Sequence, residues 1–277
     1  MTSTHRTVSP VTFFVLTYIL SWTIWVVLIL GASQISEGIS SIVRLFGVLM
    51  PAISALFLTL WAGRSGIKKL LARFKIWRVN SKWWLAVILI YPGMLIVAGL
   101  IYNFFVADSV SLLPVTAGTL IANVIFLSIA TLGEEIGWRG VALPALQKKY
   151  SPFNSSLILG LLWSIWHLPF WLLIGTLAQF GTFYFVMNFL FIVPTTFFIT
   201  WIFNKTNGSM LLPVVFHVVF NVVNVAIFPV TGSAGAFAVF ITMQFIVMLM
   251  IIPSLRKSNY YPSGNITQVK KAIATKR

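Results

Sequence analysis

Cysteine is absent from the chain, which excludes disulfides, thiol nucleophiles and zinc–thiolate sites. Acid is nearly absent too: there are four Asp and Glu in 277 residues, against nineteen Lys and Arg. Charged residues of both signs make up 8% of the sequence, where a soluble globular protein carries about a quarter. No internal repeat, inverted or parallel, is visible, and this weighs against the repeat-built secondary transporters. What fills the chain is apolar: 59% hydrophobic residues and a mean hydropathy of +0.97. These values exclude an ordinary soluble domain and predict an all-α, polytopic membrane protein.

The apolar runs predict eight transmembrane helices, near Val11–Leu30, Ser41–Ala62, Trp83–Phe105, Ala117–Leu146, Asn154–Ile174, Thr182–Phe203, Leu211–Phe228 and Ala236–Leu255. The first run is longer than the apolar region of a cleavable signal and reads as a span. Gly133, Gly137 and Pro144 mark places where the long fourth helix is expected to bend. The net charge of +15 does not indicate nucleic acid, because the bases sit in the gaps between apolar runs. With eight spans, eighteen of the nineteen fall on one side, and only Arg44 on the other. By the positive-inside rule that side is cytoplasmic, and so are both termini. The gap 63–82 interleaves seven of these bases with Ile67, Leu70, Leu71, Phe74, Ile76 and Trp77, a pattern suited to an amphipathic helix on an anionic leaflet. The expected organisation is one transmembrane domain over 1–255, with the chemistry in 117–228, and a basic cytoplasmic tail over 256–277.

Against this background two acids stand side by side in apolar sequence, Glu134 and Glu135, in Ala130-Thr-Leu-Gly-Glu-Glu-Ile-Gly-Trp-Arg-Gly140. Holding an ionised carboxylate away from water costs several kcal/mol or more, so such residues usually mark a functional site. Helical phase, at about 100° per residue, separates the pair. Arg139 shares a face with Glu135 at i+4 and points away from Glu134, and Trp138 lies beside Glu134. Two of the three histidines also fall inside spans. His167 follows Trp163 at i+4 and precedes Pro169, which is expected to kink the helix near it. His217 begins a polar stripe with Asn221 and Asn224 on an otherwise apolar helix. Taken singly, each histidine or asparagine reads equally well as interhelical glue, and a buried Glu–Arg pair as structure. The combination on three helices in order is what points to chemistry.

The three segments, Glu134-Glu135-Ile-Gly-Trp-Arg139, Trp163-Ser-Ile-Trp-His167 and His217-Val-Val-Phe-Asn221, resemble the signature of the CAAX-protease and bacteriocin-processing family of intramembrane endopeptidases, and in particular its type II CAAX prenyl endopeptidases. That signature runs Glu-Glu-x-x-x-Arg, Phe-x-x-x-His and His-x-x-x-Asn/Asp, so Trp163 stands where Phe is usual. The resemblance implies an eight-helix membrane fold and a peptide substrate beside the membrane. Relatives remove three C-terminal residues from prenylated CAAX proteins, and bacterial members are linked to bacteriocin maturation and self-immunity.

Peptide hydrolysis needs an activated water, an acid for the leaving amine and donors for the oxyanion. Glu134 is assigned as general base with His167 holding the water, and His217 and Asn221 as oxyanion donors. Glu135 and Arg139 are support. A zinc-dependent version would use Glu134, His167 and His217 as ligands. It is less favoured because no His-Glu-x-x-His pair occurs and because it leaves Glu135, already paired to Arg139, as the base. The expected surroundings are the lipid bilayer of the cell membrane and a membrane-associated peptide or prenylated protein. The rival readings are a proton-coupled transporter and a non-enzymatic immunity or scaffold protein.

Overall fold

A computed structural model describes residues 8–31, 35–106, 116–224 and 233–257. Every regular element among them is helical. In chain order these are α1 (Pro10–Gly31), α2 (Glu37–Ala62), α3 (Arg64–Ala72), α4 (Ser81–Phe105), α5 (Ala117–Gly137), α6 (Leu143–Gln147), α7 (Pro152–Trp166), α8 (Leu168–Leu173), α9 (Thr176–Lys205), α10 (Leu211–Val222) and α11 (Ala234–Arg256). Local sequence sets several starts. The Thr116 hydroxyl accepts from the Thr119 N–H at 3.2 Å to open α5, and the Ser151 hydroxyl accepts from the Asn154 N–H at 3.2 Å to open α7. Pro152 occupies the first turn of α7, where its missing N–H costs nothing.

The eight expected segments are all helical over their described residues. Among the described residues seven helical stretches are long and apolar enough to cross a membrane: Pro10–Gly31, Glu37–Ala62, Ser81–Phe105, Ala117–Gln147, Pro152–Leu173, Gly181–Lys205 and Ala234–Arg256. The eighth is described from its start as α10, 12 residues that rise about 18 Å. Its expected end at Phe228 lies outside the described residues, as do His5, Arg6, Asp108 and the tail beyond Lys257. The second helix begins four residues earlier than expected, because Glu37 enters its first turn and pairs with Arg44 at 2.5 Å.

Two breaks matter for the site. The fourth span does not simply bend at a glycine. It passes from α5 through a turn of π-helix, Trp138–Ala142, into α6, so that Pro144 sits in a first turn. A π turn widens the helix by one residue per turn and is frequent at functional sites. The fifth span breaks at His167, between α7 and α8, with Pro169 in the first turn of α8 as the sequence led one to expect.

Helix α5 packs along α2 and α10, and α7 packs along α9. The approach of α5 to α2 is close because Gly133 and Gly137, four apart, face it. A Cβ on Gly133 would meet the side chain of Leu49, and one on Gly137 the ring of Pro51 and its backbone. Small residues at this spacing let membrane helices touch at the backbone. Both glutamates lie between these two contacts, so the packing fixes the face on which each is presented. The gap between α2 and α4 is helical where expected, as α3, followed by a 3₁₀ turn, Arg73–Lys75. It is also tied inward. The Arg73 guanidinium donates to the Gly140 carbonyl at 3.2 Å, within the π turn. The Ser209 hydroxyl donates to the Ile76 carbonyl at 2.6 Å and the Met210 N–H to the Arg73 carbonyl at 3.2 Å. These bonds seat the start of α10 beside the π turn.

Candidate active site

The last turn of α5 carries Glu134 and Glu135, both buried, and the π turn carries Arg139, fully buried. The phase separation read from the sequence holds. Arg139 Nη1 donates to Glu135 Oε1 at 2.8 Å across i,i+4. Glu134 faces elsewhere: its Oε2 accepts from the Trp163 indole N–H at 2.7 Å and from that of Trp138 at 3.4 Å. No described residue hydrogen-bonds Glu134 Oε1.

The histidines arrive from two further helices. His217 on α10 places Nδ1 2.7 Å from Glu135 Oε1, the oxygen that Arg139 also reaches. Its ring stacks on Phe220 at 4.5 Å and meets the edge of Trp163 at 5.3 Å. His167, at the α7–α8 break, holds Nδ1 2.9 Å from the Trp163 carbonyl and stacks on Trp171 at 5.2 Å. A carbonyl only accepts, so His167 Nδ1 carries the hydrogen and Nε2 is left with its lone pair when the ring is neutral. Asn221, one turn beyond His217, donates through Nδ2 to the Thr131 hydroxyl at 3.3 Å.

Five of the six residues singled out in the sequence are thus linked through Glu135 and Trp163, and the sixth, Asn221, is tied to α5 by Thr131. Three further participants were not assigned there. Trp163 entered only as the aromatic of the second motif, yet its N–H is on Glu134 and its ring lies 4.6 Å beneath the Arg139 guanidinium. Trp138 was placed beside Glu134 by helical phase, and its indole also donates to it. Thr131 carried no signal beyond lying three residues before Glu134, one turn back on the same face.

Among the described residues no three His, Cys, Asp or Glu side chains form a group that could hold a metal ion. Each expected ligand is engaged through one atom by a different partner: Glu134 by two indoles, His167 by a backbone carbonyl and His217 by Glu135.

The fold and cluster define a class: a polytopic α-helical membrane protein with a carboxylate–imidazole–guanidinium site buried among its helices. The family of Rce1-like type II CAAX prenyl endopeptidases matches residues 116–223, the stretch that holds α5 to α10 and every residue of the cluster. The CAAX prenyl protease 2 of Methanococcus maripaludis is 29% identical over 226 residues, which is 77% of this chain and 83% of that protein. Both findings bear out the resemblance carried by the three motifs: the chain is similar to the type II CAAX prenyl endopeptidases.

Proposed function

We propose that the protein is an intramembrane endopeptidase that hydrolyses a peptide bond in a membrane-associated substrate, of prenylated CAAX or bacteriocin-like type, by water activation on Glu134. The observation that carries this reading is the unequal use of the Glu134 oxygens. Oε2 is tethered by two indole N–H groups while Oε1 is left to act as a base. A water bridging Glu134 Oε1 and His167 Nε2 donates one hydrogen to each. Glu134 takes a proton as the water oxygen attacks the peptide carbonyl carbon. The C=O π pair moves onto oxygen, and the oxyanion accepts from His217 and Asn221. Glu134 then returns its proton to the nitrogen, the C–N bond breaks, and an amine and a carboxylic acid leave.

Donor counting sets the charge state of His217. Its Nδ1–H is directed at Glu135, so donation to an oxyanion through Nε2 needs a second hydrogen, and hence the imidazolium. The cluster is then neutral overall, with Glu134 and Glu135 balanced by Arg139 and His217. That balance suits a low-dielectric site, where an unpaired charge is costly. Asn221 needs no charge: Thr131 orients its amide, and the NH₂ group has a second hydrogen to give.

The reading also places both termini in the cytoplasm, on the side of the basic gaps, and the protein in the cell membrane. The test is hydrolysis of a farnesylated CAAX peptide and of membrane-anchored bacteriocin-like peptides by purified wild type and Glu134→Ala, with product masses. The expected result is cleavage by wild type alone. Equal products from the variant would overturn the mechanism.

A further inference from the structure

Trp163 touches four members of the cluster with three parts of one residue. Its indole N–H is 2.7 Å from Glu134 Oε2, and its ring face lies 4.6 Å under Arg139. The same ring meets His217 at 5.3 Å with planes 68° apart. Its backbone carbonyl is 2.9 Å from His167 Nδ1. The side chain is 1% exposed, so this geometry is held by packing on every side.

Two of these contacts act on the same water from opposite ends. The N–H takes one Glu134 oxygen out of play and fixes the carboxylate's rotation. The carbonyl fixes the His167 tautomer with the lone pair on Nε2. Both settings come from one residue on a rigid helix, so the distance between base and imidazole does not depend on two independent side-chain torsions. Phe, usual at this place in the resembled motif, would fill the space but has no N–H to give. Trp138 is a weak substitute, since its indole is 3.4 Å away.

We infer that Trp163 is the positioning residue of this site: its indole N–H tethers Glu134 Oε2 so that Oε1 and His167 Nε2 converge on the attacking water. The inference rests on the endopeptidase reading above, with Glu134 as base.

Two arms test it. In the kinetic arm, wild type, Trp163→Phe, Trp163→benzothienylalanine and Glu134→Gln are compared on a farnesylated CAAX peptide. The benzothienyl ring keeps the bicyclic shape and replaces N–H by sulfur, so it separates loss of the donor from loss of packing. Both Trp163 variants are expected to lose about tenfold to hundredfold in kcat with KM unchanged, the range for a hydrogen bond to a charged group. Wild-type kcat in the benzothienyl variant, with Glu134→Gln inactive, overturns this inference and leaves the endopeptidase reading intact. Activity in Glu134→Gln overturns both. The second arm needs no substrate. Among the eleven tryptophan indole N–H resonances in micelles, the one missing from Trp163→Phe is expected to move upfield in Glu134→Ala. The same position in both proteins removes the tether, whatever the activity.

Discussion

Glu135 Oε1 is shared: His217 Nδ1 lies 2.7 Å from it and Arg139 Nη1 2.8 Å from it. One carboxylate oxygen thus joins the π turn after α5 to α10 and holds the imidazole that faces the proposed oxyanion. The neighbouring Glu134 shares neither partner among its hydrogen bonds. The two adjacent acids therefore have different work, and they respond differently to substitution.

Glu134→Gln is expected to remove hydrolysis, by at least about 10³-fold in kcat, while the protein keeps its thermal stability, because an amide oxygen still accepts from the indoles. Glu135→Gln is expected to lose activity and stability together. It leaves Arg139 and His217 without their buried counter-charge, a change of about 3–5 kcal/mol for a broken buried pair. Peptide hydrolysis and detergent melting curves on both variants check this, and equal stability losses would contradict the division of roles.

Asn221→Ala is expected to reduce kcat by about 10²–10³-fold, the usual effect of deleting one oxyanion donor. Thr131→Val, which only frees the Asn221 side chain, should give a smaller loss in the same direction. A double variant no worse than Asn221→Ala is the expected outcome, since Thr131 acts through Asn221.

Gly137→Leu drives a side chain into Pro51 and its backbone, which cannot yield. The α2–α5 contact should open, with a stability loss of about 1–3 kcal/mol or more and loss of hydrolysis, as both glutamates rotate off their partners. Gly93→Ala, where a Cβ meets nothing within 4 Å, is the matched control and should be silent in both assays.

Activity is expected to survive chelators, and active purified protein to contain well under one zinc per chain, because the donor set forms no ligand group. Stoichiometric zinc that tracks with activity would reverse the assignment.

The absence of cysteine makes topology directly measurable. Single replacements Ser3→Cys and Ser263→Cys should both react with a membrane-impermeant maleimide in inverted vesicles and neither in intact cells. Labelling of one terminus on each side would mean that α10 does not complete a crossing.

Much of this site was legible because helix geometry is local. The Glu135–Arg139 pairing follows from a spacing of four residues, and so does the turn of α10 that separates His217 from Asn221. The break at His167 was legible because Pro169 lacks an N–H. The π turn was not, since Gly137, Trp138 and Pro144 are compatible with several ways of bending.

By itself the sequence determined the helical membrane class, the six polar residues and the split between the two glutamates, because apolar run length and residue phase need no knowledge of neighbours. Only the tertiary structure decided that Glu135 holds His217, that Thr131 holds Asn221 and that Trp163 holds Glu134. Those contacts cross between helices, and the rotation and depth that bring them within hydrogen-bond distance are set by packing, chiefly the glycine-close approach of α5 to α2 and the packing of α10 along α5.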